Sequence, residues 1–257
     1  MTSGRLVLLH GFTGCPKGWD AVVERLPPGF ETHRPALLGH DPGSEYGSGG
    51  FEDEVDRLGR WLGERVEPPA VLAGYSMGGR VALGLVVRHP RLFAAAVLVG
   101  AHPGIEDGAA RRRRIDSDEA LARRLEEKGI EDFADFWEGR PLFASQLRLP
   151  AAVLERQRRQ RLRHDPAGLA AGLRALGTGR MPDYRSVLGT LDLPIRLLTG
   201  SEDDKFCKVA RAMAERLPRA VVEAVPAAGH NLILEAPGAV AAAIVGVAGS
   251  ISRGINP

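Results

Sequence analysis

Six residues constrain this chain more than any other feature. Gly74-Tyr75-Ser76-Met77-Gly78-Gly79 matches G-x-S-x-G; it follows the apolar run 70–72 and precedes the helix-compatible stretch 80–87. Glycines flank a serine in this way where a buried strand turns sharply into a helix, because side chains there would collide with neighbouring backbone. The turn lifts the hydroxyl off the sheet and sets it at a helix N-terminus, where unpaired N–H groups favour developing negative charge. The pattern predicts a nucleophile elbow with Ser76 at its apex, against the blander reading of a glycine-rich turn.

The surrounding periodicity fits that reading. Residues 6–10, 70–75, 94–99, 195–199 and 220–225 read as buried strands, and 52–66, 78–89, 205–217 and 238–247 as helices. Alternation of this kind predicts a mostly parallel sheet with helices on both faces. Between them the character changes: residues 102–187 are charged, rich in Leu and Ala, and broken at Pro141, Pro150 and Pro166, with no convincing strand. The expected organisation is a core of residues 1–101 and 188–257 with an inserted helical cap, 102–187. The Gly-rich patch 43–50 reads as a surface loop.

Composition narrows the function classes. At 257 residues and formal net charge +2, with 44% hydrophobic and 26% charged residues, the chain suits one catalytic unit with a sizeable core rather than a disordered tail. Residues 1–10 run straight into an apolar strand, so no secretory signal is expected. The uncharged stretch 236–252 contains Pro237 and falls short of the roughly 20 apolar residues that span a bilayer, so no membrane insertion is expected. Cys15 and Cys207 form no CxxC, and the histidines show no HExxH. A reducing cytoplasm, no metal and no cofactor are the expectations. Of 34 basic residues, 30 are Arg, and the arginines gather between Arg111 and Arg185. They are interleaved with Asp and Glu and accompany no recognition motif, which argues against nucleic acid.

The partners of Ser76 must follow it in the order acid, then histidine. Gly200-Ser201-Glu202-Asp203-Asp204 closes a strand; the Gly-x-x-Asp spacing selects Asp203, with Glu202 and Asp204 as competitors. Ala228-Gly229-His230-Asn231 lies between the last strand and the last helix, which selects His230 as the base. Leu9-His10-Gly11-Phe12-Thr13-Gly14 closes the first strand. Its counterpart in hydrolase-like folds supplies an oxyanion donor, which assigns the backbone N–H groups of Phe12 and Met77. These elements predict an α/β-hydrolase fold, shortened at its N-terminal edge because the chain enters directly at that strand. Arg80, four residues after the nucleophile, can face the site. A pocket with several arginines would suit a substrate carrying several carboxylates, which planar guanidinium groups bind bidentately.

At this point the sequence resembles the 2-succinyl-6-hydroxy-2,4-cyclohexadiene-1-carboxylate synthases of menaquinone biosynthesis. The matching segments are LHGFTG (9–14), GYSMGGRVAL (74–83), GAHPG (100–104), PLFAS (141–145), LRALGTG (173–179), DDKF (203–206) and AGHNLILEAP (228–237). The resemblance spans nearly the whole chain, cap included. It implies a lyase that eliminates pyruvate from a small tricarboxylate, 2-succinyl-5-enolpyruvyl-6-hydroxy-3-cyclohexene-1-carboxylate, using a Ser76-His230-Asp203 triad. It also implies carboxylate-binding roles for Arg80, Arg114 and Arg161 and pocket roles for Tyr75, Trp137 and Phe143. Arg111 and Arg113 neighbour Arg114, and Arg161 sits among Arg156, Arg158, Arg159 and Arg163, so register within the cap stays open. Residues 39–43 depart from the Pro-Gly-His-Gly turn of relatives. The rivals are a carboxylesterase or C–C-bond hydrolase with the same triad, and a non-catalytic receptor-like relative. A monomer or weak homo-oligomer is expected.

Overall fold

A computed structural model describes residues 4–41 and 49–252. Six strands form one sheet: β1 (Gly4–Leu9), β2 (Phe30–His33), β3 (Ala70–Tyr75), β4 (Phe93–Val99), β5 (Ile195–Gly200) and β6 (Ala220–Val225). Their order is β2-β1-β3-β4-β5-β6, and every pairing is parallel. The helices are α1 (Asp20–Val23), α2 (Phe51–Arg65), α3 (Met77–Arg88), α4 (Gly108–Glu138), α5 (Ala151–Arg161), α6 (Pro166–Leu176), α7 (Asp204–Ala214), α8 (Leu232–Glu235) and α9 (Pro237–Ser252).

Strand side chains alternate between two apolar layers, as the period of two requires. Val7, Leu9, Leu72, Leu98 and Leu197 pack with residues of α2, α3 and α7. Leu6, Leu8, Val71, Ala73, Val97 and Leu198 face the opposite way, onto Trp19 and the Val240, Ile244 and Val247 side of α9. Burial on both faces explains why the central strands are continuous apolar runs. The expectations missed β2: its four residues, Phe-Glu-Thr-His, are only partly buried and pair with β1 alone, at the sheet edge. An edge strand this short leaves no apolar run to detect. The expected loop at 43–50 falls mostly outside the described residues.

Between β4 and β5 the described chain is helical, from α4 through α6. Long α4 breaks at Gly129, whose φ of 81° lies in the left-handed region that only glycine enters freely. The break turns Ile130 and Phe133 back onto Ala122, Leu125, Leu169, Ala170 and Leu173, giving these helices an apolar core of their own. Phe12 of the core packs against that cluster, so the two parts meet at the loop after β1. No helix of the described residues is long and apolar enough to cross a membrane.

Leu83 is fully buried on α3, inside the larger apolar layer. Leu83→Ala removes its side chain from that layer and should destabilise the protein by about 2–5 kcal/mol, read as a lower urea midpoint at unchanged slope.

Candidate active site

The elbow is held by contacts from two strands. Ser76 sits at φ 52° and ψ −107°, directly between β3 and α3. Its N–H donates to the Val99 carbonyl of β4 at 2.8 Å, and its carbonyl accepts from Arg80 N–H at 3.0 Å. Gly78 lies so close to β1 that a Cβ there would meet the Leu9 carbonyl oxygen at 2.3 Å. A non-glycine residue in so strained a backbone conformation persists only when the surroundings over-determine it. Here β1, β4 and α3 all do.

Three side chains then line up in hydrogen-bonding sequence. Ser76 Oγ lies 3.0 Å from His230 Nε2, and His230 Nδ1 lies 2.7 Å from Asp203 Oδ2. Because a carboxylate accepts, Nδ1–H donates to Asp203 and Nε2 is left to accept the serine proton. Asp203 Oδ1 is occupied separately, capping α7 by accepting the Phe206 N–H at 3.3 Å. That cap explains the choice among three neighbouring acids. Glu202 pairs outward with Arg148 at 2.7 Å, and Asp204 is already the exposed first residue of α7. His230 and Asp203 are both buried, with the rings of Phe206 and Tyr75 at 4.5 and 5.5 Å from the imidazole.

Phe12 and Met77 line the same cavity of about 310 Å³ as Ser76 and His230. Met77 opens α3, so its N–H faces outward from a helix N-terminus. The Phe12 loop is fixed by buried histidines. Thr13, at φ 59°, donates its N–H to His40 Nε2 at 3.2 Å. His10 accepts the Leu37 N–H at 3.2 Å on Nε2 and donates from Nδ1 to the Gly11 carbonyl at 2.9 Å. Burial pushes His10 down to about 4 and His40 well below the ordinary value, so both rings are neutral and can accept.

The cavity wall is cationic. Arg80 is buried and donates to the Leu176 carbonyl at 2.9 Å and Thr178 Oγ1 at 2.8 Å. Burial, then the neighbouring Arg114, pulls it down to about 9. Arg114 Nε meets both oxygens of buried Asp118 at 2.9 Å, which leaves its terminal nitrogens for other partners. Arg140, His102 and Lys205 also line this space; sequence reasoning singled out none of them for the site. His102 accepts the Gly104 N–H on Nδ1 at 3.1 Å and is held at about 4 by burial, then by Lys205 and Arg80. Their signal in the sequence was the GAHPG and DDKF segments; Arg140 had none.

Arg161 lines a neighbouring space. It lies outside the lining of the Ser76 cavity, in an adjoining one of about 290 Å³, and shares with it a wall of Phe12, Tyr75, Trp137 and Phe143. Glu138 neutralises Arg161 at 2.5 Å, and its Nε donates to Thr13 Oγ1 at 3.1 Å. In this arrangement it holds the Phe12 loop against the helical insertion. Trp137 sits edge-on to Phe12 at 5.3 Å and near Phe143 at 5.8 Å.

The profile of the alpha/beta hydrolase family matches residues 6–243, and the chain belongs to that family. A relative from Bacillus subtilis (strain 168) is 35% identical over 241 residues, covering 91% of this chain and 86% of its own. One from Enterobacter sp. (strain 638), named 2-succinyl-6-hydroxy-2,4-cyclohexadiene-1-carboxylate synthase, is 32% identical, covering 93% and 89%. Within the larger family, the chain is a member of this synthase family. Among solved structures, MenH from S. aureus superposes with a TM-score of 0.93 at 31% identity, covering 98% of this chain and 96% of its own. A thermophilic esterase from Thermogutta terrifontis, with malate bound, gives 0.84 at 26%, covering 97% and 91%.

The buried neutral imidazoles make stability pH-dependent. His10 and His102 sit at about 4 when folded and return to the ordinary 6.5 on unfolding. Between those values the unfolded chain binds more protons, so this stability is full above about pH 6.5 and lost as pH falls toward 4. Asp56 and Glu119, held at about 2 by hydrogen bonds from Arg88 and Arg174, act only below about pH 4.5. Urea midpoints at pH 7.5, 6 and 5 should therefore decline steadily; a flat series contradicts neutral buried rings.

Proposed function

We propose that the chain eliminates pyruvate from 2-succinyl-5-enolpyruvyl-6-hydroxy-3-cyclohexene-1-carboxylate, yielding 2-succinyl-6-hydroxy-2,4-cyclohexadiene-1-carboxylate in menaquinone biosynthesis. The observation that carries this reading is the pairing of the Ser76-His230-Asp203 alignment with Arg80, a buried guanidinium in the same cavity that bonds only neutral oxygens among the described residues. A buried cation left without a carboxylate is costly unless an anionic ligand completes it. The family membership and the names of the relatives support the same choice.

The chemistry follows from the two structures named. The 3-ene becomes a 2,4-diene, so the proton leaves ring carbon 2, beside the succinyl carbonyl. Its electrons form the 2,3 double bond, the 3,4 pair moves to 4,5, and the carbon 5–oxygen bond breaks. Enolpyruvate departs with that electron pair and takes up a proton to become pyruvate. Ser76, deprotonated by His230, removes the carbon 2 proton directly or by relay, and Asp203 stabilises the imidazolium. The Phe12 and Met77 N–H groups are assigned to the succinyl oxyanion that develops. Arg80 and Arg114 take carboxylates, and Tyr75, Trp137 and Phe143 enclose the ring. Arg161 acts on the same chemistry through Thr13. Residues 102–187 serve as a cap over the core of 1–101 and 188–257. No acyl-enzyme is needed.

Pyruvate detection coupled to lactate dehydrogenase tests the reading. Wild type should release one pyruvate per tricarboxylate consumed, and Ser76→Ala should lose roughly 10³-fold or more in kcat. Arg80→Ala and Arg114→Ala should each lose roughly 10²-fold in kcat/KM, about 2.7 kcal/mol of transition-state stabilisation. Similarity to the Thermogutta esterase keeps ester hydrolysis as the second reading. A fast nitrophenyl acetate burst with no pyruvate from the tricarboxylate would establish that instead.

A further inference from the structure

Positive charge left unneutralised marks what a cavity is built to receive. Most inserted arginines are answered locally: Arg123, Arg124, Arg158 and Arg174 each lie within 4.0 Å of an Asp or Glu between α4 and α6. Around Ser76 the pattern reverses. Arg140 and Lys205 line its cavity, and among the described residues neither has a carboxylate within 4.0 Å. Arg140 instead lies 5.2 Å from the Trp137 ring, just ahead of the Pro141 turn. Lys205, the second residue of α7, lies 5.3 Å from the Phe206 ring. One comes from the helical insertion and the other from α7, the helix after β5, so the space they border lies between those parts.

Asp118 is the one carboxylate among the described lining residues, and Arg114 already occupies both its oxygens. Four cations therefore share about 310 Å³ with a single consumed counter-charge. Like charges held together in a partly dry space raise the energy of the empty protein, and an anion entering it recovers that energy. A ring bearing three carboxylates on separate arms cannot place all three on Arg80 and Arg114. With Arg140 and Lys205 included, each arm can meet a cation.

We infer that Arg140 and Lys205 are specificity-determining residues, which bind the carboxylate arms left unmet by Arg80 and Arg114 and so select polyanions. This rests on the proposal that the Ser76 cavity is the substrate site. The test combines calorimetry with the pyruvate assay on Arg140→Gln, Lys205→Gln, the double variant and Arg140→Lys. Propane-1,2,3-tricarboxylate, succinate and acetate are the calorimetric probes. Wild-type affinity should rise with carboxylate number. Each Gln variant should weaken tricarboxylate binding by roughly tenfold and raise KM by a similar factor, and Arg140→Lys should recover most of the loss. Equal tricarboxylate binding by wild type and double variant overturns the inference, as does no binding by wild type. Pyruvate release with an unchanged KM in the double variant removes the inference and leaves the proposed reaction standing. Charge-dependent tricarboxylate binding without pyruvate release does the reverse.

Discussion

Close backbone approach at Gly78 is the constraint on which the site depends. Because α3 begins almost in contact with the Leu9 carbonyl, the first strand, Ser76 and the helix after it form one rigid corner. Ser76 has its N–H tied to β4 and its carbonyl to α3, so its hydroxyl has little choice of direction. His230 can therefore be positioned from the far end of the sequence by a single carboxylate. Parallel strand order does the rest, delivering Leu9, Tyr75 and Gly200 to the same edge of the sheet. In open parallel sheets that edge is where ligands bind.

Most of this corner was legible in the sequence, because each part has a local cause. The elbow needs glycines, the central strands need unbroken apolar runs, and Asp203 stands where a helix N-cap belongs. What escaped was set by tertiary partners. β2 is too short and polar to announce itself. Gly129 could be seen as a glycine, but not as the break that folds α4 onto its own apolar face.

The arginines show the limit most clearly. Nothing in the sequence of the insertion distinguishes an arginine facing Glu119 from one facing a cavity; only the fold decides which charges find partners. Arg161 resembled a substrate ligand by family pattern, yet it is engaged by Glu138 and Thr13. Arg140 had no signal of its own, yet it lines the same cavity as the serine. Net charge averages over both kinds. The sum of +2 conceals many arginines answered in pairs and a cavity whose cations outnumber its one carboxylate.

The Arg161–Thr13 hydrogen bond has an evolutionary consequence. Helical insertions in scaffolds of this type look like exchangeable modules, free to diverge with the substrate. Here one arginine of the insertion grips the loop that carries the Phe12 N–H, and Phe12 itself packs into the insertion's apolar core. A transplanted insertion would have to remake both contacts. Recombination between relatives would then have to carry the loop after β1 along with the helices, so the two segments, about a hundred residues apart in the chain, should be inherited as one unit.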